Sequence, residues 1–155
     1  MTEQEVREET QKHINTVTSI LLIIATRLRL RGLDHDKSKL ESPEFETFME
    51  FTEKLRGSTY GSPEYKQFLA GMKPALDHHY AHNSHHPEHF PNGIDGMNIL
   101  DLIEMLCDWK AATLRHADGD LARSIEINSE RFKMSNQLKS IFKNSVSLFE
   151  GVKYE

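Results

Sequence analysis

Six of the nine histidines in this 155-residue chain fall within Asp77–Phe90, DHHYAHNSHHPEHF. Imidazole titrates near neutrality and is the commonest metal ligand, so this density admits a catalytic metal site, a pH-sensitive surface or a metal-buffering tract. The run is internal and interleaved with Tyr80, Asn83 and Phe90, so it is no affinity tag. Three other stretches hold residues of matching chemistry. Glu9 and His13 are spaced i and i+4, one face of a helix. His35 and Asp36 are adjacent in LDHDKSKL; a neutral imidazole and a carboxylate suit Zn, Mn, Fe or Mg according to geometry. Asp101, Glu104 and Asp108 form a narrow acidic stripe in ILDLIEMLCDWKAATLRH, where like charges need a counter-charge.

Each stretch has a plainer explanation. His13 aligns with Val17, Ile20, Ile24 and Leu28, so its ring should point inward as a satisfied core histidine. Asp34 or Asp36 can cap a turn beside a solvated His35, and the acidic stripe can be a solvated helix face. Arg27, Arg29, Arg31, Lys37 and Lys39 can meet a small anion or simply favour a helix C-terminus.

The elements that must carry these groups are helical. Ile14, Val17, Leu21, Ile24 and Leu28 recur at spacings of three and four, predicting one helix from about Glu3 to Arg31 with Gly32 as its stop. Ser42-Pro43-Glu44 and Ser62-Pro63-Glu64 each read as N-cap serine, proline at the first helical position and a carboxylate in the first turn. The first opens a helix to about Gly57; the second should run through a kink at Pro74. On its face Tyr65, Phe68, Leu69, Met72 and Leu76 are followed by His79, which makes His79 the inward histidine of its pair, with His78 and His82 on another side. Pro87, Pro91, Gly93 and Gly96 mark 85–98 as a loop, and Pro87 disfavours helix at His86, letting His85 and His86 turn back towards the site. Helices are then predicted over Ile99–His116, Asp120–Met134 and Ser135–Phe149. With no strand alternation, the expected fold is an all-α bundle of about six helices, a single domain over 1–155 with its metal-site core at about 9–112 and C-terminal helices at about 120–149.

Taken together, Glu-x-x-x-His, His-Asp, a histidine on a later helix, a histidine pair before a Pro/Gly loop and an Asp in the following helix resemble the HD-domain superfamily of metal-dependent phosphohydrolases. His35-Asp36-Lys37-Ser38-Lys39 is similar to the HDxGK turn of its cyclic-dinucleotide-degrading branch, with Ser38 in place of glycine. His85-His86-Pro87-Glu88 with Asn92-Gly93 is similar to that branch's HHE…DG loop, and Cys107-Asp108-Trp109-Lys110-Ala111-Ala112 to its terminal helix. The GYP signature of that branch is missing. The strings HDKSK and HHPEH also resemble those of a family of short phage and bacterial proteins.

The resemblance implies His35, Asp36 and Asp108 as core ligands, completed by His13, His79, His85 and His86, around one or two divalent ions (Fe, Mn, Zn or Co). It implies hydrolysis of a nucleotide or related phosphate ester by metal-activated water, with Lys39 steadying phosphate and Glu88 or Glu104 orienting ligands or accepting a proton. Two alternatives stand beside it: an oxygenase-type member with a histidine-rich di-iron centre, and a non-enzymatic helical metal- or partner-binding protein. Histidine abundance favours iron; the basic residues near Lys39 favour phosphate.

Bulk properties frame these readings. A net charge of -5 argues against a general nucleic-acid binder. The longest apolar run, Ile20–Ala25, is far below the roughly 20 residues of a membrane span. The acidic start MTEQEVREETQ lacks the regions of a signal peptide, and the single Cys107 cannot form an internal disulfide, so a cytoplasmic protein is expected. Apolar residues between Phe132 and Phe149 mark an expected homo-oligomer seam.

Overall fold

Helix α1, Glu3–Asp34, begins on a capping box in which the Thr2 hydroxyl accepts from the Glu5 amide and the Glu5 carboxylate accepts from the Thr2 amide. The computed structural model describes residues 1–58, 62–115 and 119–153. Gly32 does not stop α1. A Cβ there would meet nothing within 4 Å, so glycine is neither required nor forbidden, and the helix runs on to His35, whose ψ of 126° ends it. The left-handed residue after the helix is Asp36, at φ 56°.

The chain divides into two compact units, Met1–His35 and Asp36–Glu155. The first is α1 with its C-cap, and none of the helix's residues is buried. His13 is accordingly exposed, and Glu9 pairs with Lys12 at 2.7 Å. The inward ring expected of His13 is corrected: apolar neighbours on a stripe predict burial only where something covers the stripe.

In the second unit, a single 3-10 turn at Lys37–Leu40 leads to α2, Glu44–Gly57. Its N-cap is Pro43, which offers no side-chain cap, so the Ser42 capping predicted from Ser-Pro-Glu is not formed. The second Ser-Pro-Glu follows the rule: Ser62 accepts from the Tyr65 amide at 3.1 Å and Pro63 opens α3, Pro63–Gly71. Pro74 breaks rather than kinks the following chain. It occupies the first turn of a separate helix, α4, Lys73–His82, where its missing N–H costs nothing.

Two 3-10 turns, Pro87–His89 and Gly93–Gly96, shape the loop. Helix α5, Ile99–Thr113, is held by an Asn98–Asp101 capping box; its predicted end at His116 lies outside the described residues. Helices α6, Leu121–Arg131, and α7, Asn136–Asn144, start on the caps Asp120 and Ser135, and a 3-10 turn at Val146–Phe149 follows α7. The fold is all-α, with seven α-helices and no strand among the described residues. No helix among them is long and apolar enough to cross a membrane.

The main core joins α5, α6 and α7 through Ile94, Met105, Leu106, Leu121, Ile125 and Phe142. Trp109 stacks parallel to Phe132 at 6.2 Å and meets Phe142 edge-on at 5.9 Å. Phe132, Leu138, Val146 and Phe149 pack against this core, so most of the apolar surface expected to form an oligomer seam is internal; Ile141 and Leu148 remain exposed. A smaller cluster joins α2 to α3 and α4, with Phe51 meeting Phe68 edge-on and Phe48 meeting His79. That packing brings α2 and the histidine-bearing end of α4 together.

Candidate metal centre

Asp36 starts the site. Its carbonyl accepts from the Lys39 amide at 2.9 Å to close the turn, and Lys39 Nζ lies 2.6 Å from Asp36 Oδ2. The left-handed φ costs an L-residue roughly 1–2 kcal/mol, and Asp is among the few residues that adopt it readily. It aims Oδ1 at two buried histidines: His79 Nε2 is 3.2 Å away and His85 Nε2 3.5 Å away. His86 Nε2 stands 2.9 Å from His79 Nε2. One donor atom from each of Asp36, His79, His85 and His86 lies within 4.8 Å of the other three. Donors on one ion with bonds near 2.0–2.1 Å stand roughly 3.0–3.4 Å apart, so this spacing fits a shared divalent ion.

Carboxylates fix how two of these rings face. Glu44, fully buried at the start of α2, takes His78 Nδ1 on Oε1 at 2.7 Å and His79 Nδ1 on Oε2 at 2.9 Å. Ser38 Oγ donates to the same Oε2 at 3.0 Å, and Asn83 Nδ2 donates to Ser38 Oγ and to the His79 carbonyl, each at 2.8 Å. On α5, Glu104 Oε1 holds His85 Nδ1 at 3.1 Å. With each Nδ1–H given to a carboxylate, each Nε2 presents its lone pair towards Asp36 Oδ1, the arrangement that orients histidine for a metal. Burial on its own would raise Glu44, but hydrogen bonds from His78, Ser38 and His79 outweigh it and hold the carboxylate below its ordinary range.

His86 is different. Burial drives its imidazole from 6.5 down to about 3, helped by neighbouring His85 and His79 and opposed by Asp108. It is therefore neutral and available as a ligand at physiological pH. Because its folded value lies below its unfolded one, the unfolded chain takes up a proton that the folded chain refuses. The contribution is complete above about pH 6.5 and is lost as pH falls towards 3. Metal-free protein should lose about 2 kcal/mol from this group between pH 7.5 and pH 5. Urea unfolding at both pH values should show that loss diminished in His86→Gln; parallel curves for the two proteins would remove His86 from the buried neutral set.

The remaining expected ligands are placed differently. His13 is on α1 in the first unit, and His35 is that unit's last residue, immediately before Asp36. Asp108 is half-buried on α5 and acts electrostatically on His86, but the four-residue donor group does not include it. Lys39, expected to steady phosphate, instead pairs with Asp36 three residues earlier. Glu88 pairs with Arg131 at 2.8 Å across a groove of about 400 Å³ and orients no ligand histidine. The acidic stripe of α5 is neither solvated nor uncompensated. Asp101 is buried, caps its own helix and accepts from Ser84 Oγ at 2.6 Å, while Glu104 serves His85. His78 is engaged by Glu44, and His89 Nδ1 meets the Tyr80 carbonyl at 2.8 Å, so neither ring belongs to the donor group.

A family model matches residues 2–148 of the chain. The chain belongs to DUF5662, a family of unknown function. No curated protein and no solved structure matches it. The DUF5662 site also contains three residues that the sequence reading did not single out: Glu44, Ser38 and Asn83. Ser38 had a visible signal, since it stands where the similar HDxGK turn carries glycine. Its hydroxyl is what links Glu44 to Asn83.

Proposed function

We propose that the chain is a metal-dependent phosphohydrolase for a nucleotide or a related small phosphate ester, with Asp36, His79, His85 and His86 holding a divalent ion. The observation that carries the reading is the convergence of Asp36 Oδ1 with three imidazole Nε2 atoms, two of them oriented by buried or half-buried carboxylates. Three nitrogens and one carboxylate suit Zn, Fe, Mn or Co and are ill-matched to Mg or Ca, which favour oxygen. A bound ion in such a site lowers the pKa of its water and polarises a phosphoryl oxygen. The protein's own part is to aim the His79 and His85 rings through Glu44 and Glu104, to keep the buried His86 ring neutral, and to hold the Asp36 carboxylate against them. Lys39 Nζ, 2.6 Å from Asp36 Oδ2 and partly exposed, is the cation placed to exchange that partner for a substrate phosphate.

A second reading is an oxygenase built on iron. The histidine-rich donor set favours it, as does the availability of His35 and Asp108 in sequence for a second ion. A metal-binding protein with no catalysis is the third.

Tag-free protein should carry near-stoichiometric transition metal by elemental analysis, and its absence after reconstitution sinks both enzymatic readings. Phosphate release from a nucleotide panel with Mn, Co or Fe is the expected activity. Oxygen consumption with an iron optical signature in place of phosphate release selects the oxygenase, and stoichiometric metal with neither selects the binder.

A further inference from the structure

We propose that α1 is a dimerisation helix, pairing antiparallel with α1 of a second copy of this chain. The helix is apolar all round at its middle. Ile20, Leu21, Leu22 and Ile23 point about 100° apart in succession and are each 54–63% exposed. A helix with this much exposed apolar surface at its middle calls for cover by another element. Ile14, Val17, Leu21, Ile24 and Leu28 alternate spacings of three and four, the repeat of a two-helix seam. At 32 residues, α1 is about 48 Å long, enough for these five layers and their flanks.

Charge selects both the partner and the direction. Residues 3–12 carry four carboxylates and two cations, whereas 27–31 carry three arginines and no acid. A parallel pair would set acidic half on acidic half and basic on basic. An antiparallel pair sets each acidic half against the partner's basic half, and its two-fold symmetry closes the assembly at two copies. A helix with this gradient is complementary to itself reversed, so the occupant argued for is a second copy and not an unrelated partner.

Sedimentation of the full chain from 5 to 100 µM should reveal a species of twice 17.9 kDa. Leu21→Glu should weaken the association at least ~100-fold, since the seam loses an apolar side chain from both copies. A second set of variants leaves the apolar residues intact. Glu8→Lys with Glu9→Lys should weaken the dimer, as should Arg27→Glu with Arg29→Glu, and all four together should restore it to within roughly tenfold of wild type. A 17.9 kDa species at every concentration overturns the proposal, as does failure of the fourfold variant to recover. Spin labels at Gln4, with Cys107→Ser, should lie far apart across the dimer; a short distance between them overturns the antiparallel arrangement.

Discussion

Metal content should fall to background in Asp36→Ala, measured by elemental analysis after reconstitution and desalting. Asp36 supplies the only oxygen of the four-residue donor group, 3.2 Å and 3.5 Å from two histidine nitrogens. Without it three imidazoles remain and no carboxylate of the donor group offsets the ion's charge. The comparison that isolates charge from backbone is Asp36→Asn, because asparagine also tolerates the left-handed φ of 56° whereas alanine does not. Both variants should lose the ion, but only Asp36→Ala should carry the added backbone cost of roughly 1–2 kcal/mol in metal-free protein. In wild type, metal at about 1,000 times its dissociation constant should add about 4 kcal/mol to the unfolding free energy. In both variants that increment should vanish. Metal retained stoichiometrically by Asp36→Asn would refute Asp36 as a ligand.

Glu44→Ala should produce the next largest effect, on stability as well as on metal affinity. One buried carboxylate accepts from His78, His79 and Ser38, and its removal takes that acceptor from all three at a cost on the order of 3 kcal/mol. Metal affinity should fall about 10- to 100-fold as His79 loses its fixed orientation. Glu44→Gln keeps the volume and one acceptor oxygen, so it should fall between wild type and alanine in both readouts. Glu64, the equivalent carboxylate of the second Ser-Pro-Glu, is exposed, and Glu64→Ala should change stability by less than about 0.5 kcal/mol. If the two glutamates behave alike in chemical denaturation and metal titration, Glu44 has no special role.

That pair of glutamates marks where sequence reasoning succeeds and where it stops. Helix starts at Ser62, Asp120 and Ser135 are legible because a cap is a local contract between one side chain and an amide two or three residues on. His79, His85 and His86 are legible for a related reason: helical phase and the proline after His86 are short-range. Glu44 is hidden because a carboxylate in a first turn already has a sufficient local reason to be there. What sets it apart from Glu64 is the approach of α4 to α2, decided by packing such as that of Phe48 on His79, which no local pattern encodes. His13 errs in the opposite direction. Its stripe reports that α1 wants cover, but a stripe cannot name the covering surface, and in this chain none of α1 is buried. The acidic stripe of α5 was ambiguous from sequence because its three carboxylates do different jobs: Asp101 in a cap, Glu104 on His85, and Asp108 near His86.

The packing of Trp109 against Phe132 and Phe142 gives the molecule an internal optical reporter. It is the chain's one tryptophan, and α1 contains no Phe, Tyr or Trp. Intrinsic fluorescence is therefore blind to α1 and reads the second unit alone. Circular dichroism at 222 nm weighs every helix, and α1 is the longest of the seven at 32 residues. The two signals thus divide the protein without any label: a melt in which ellipticity falls while Trp109 emission holds is the spectroscopic mark of α1 unwinding while the second unit stays folded.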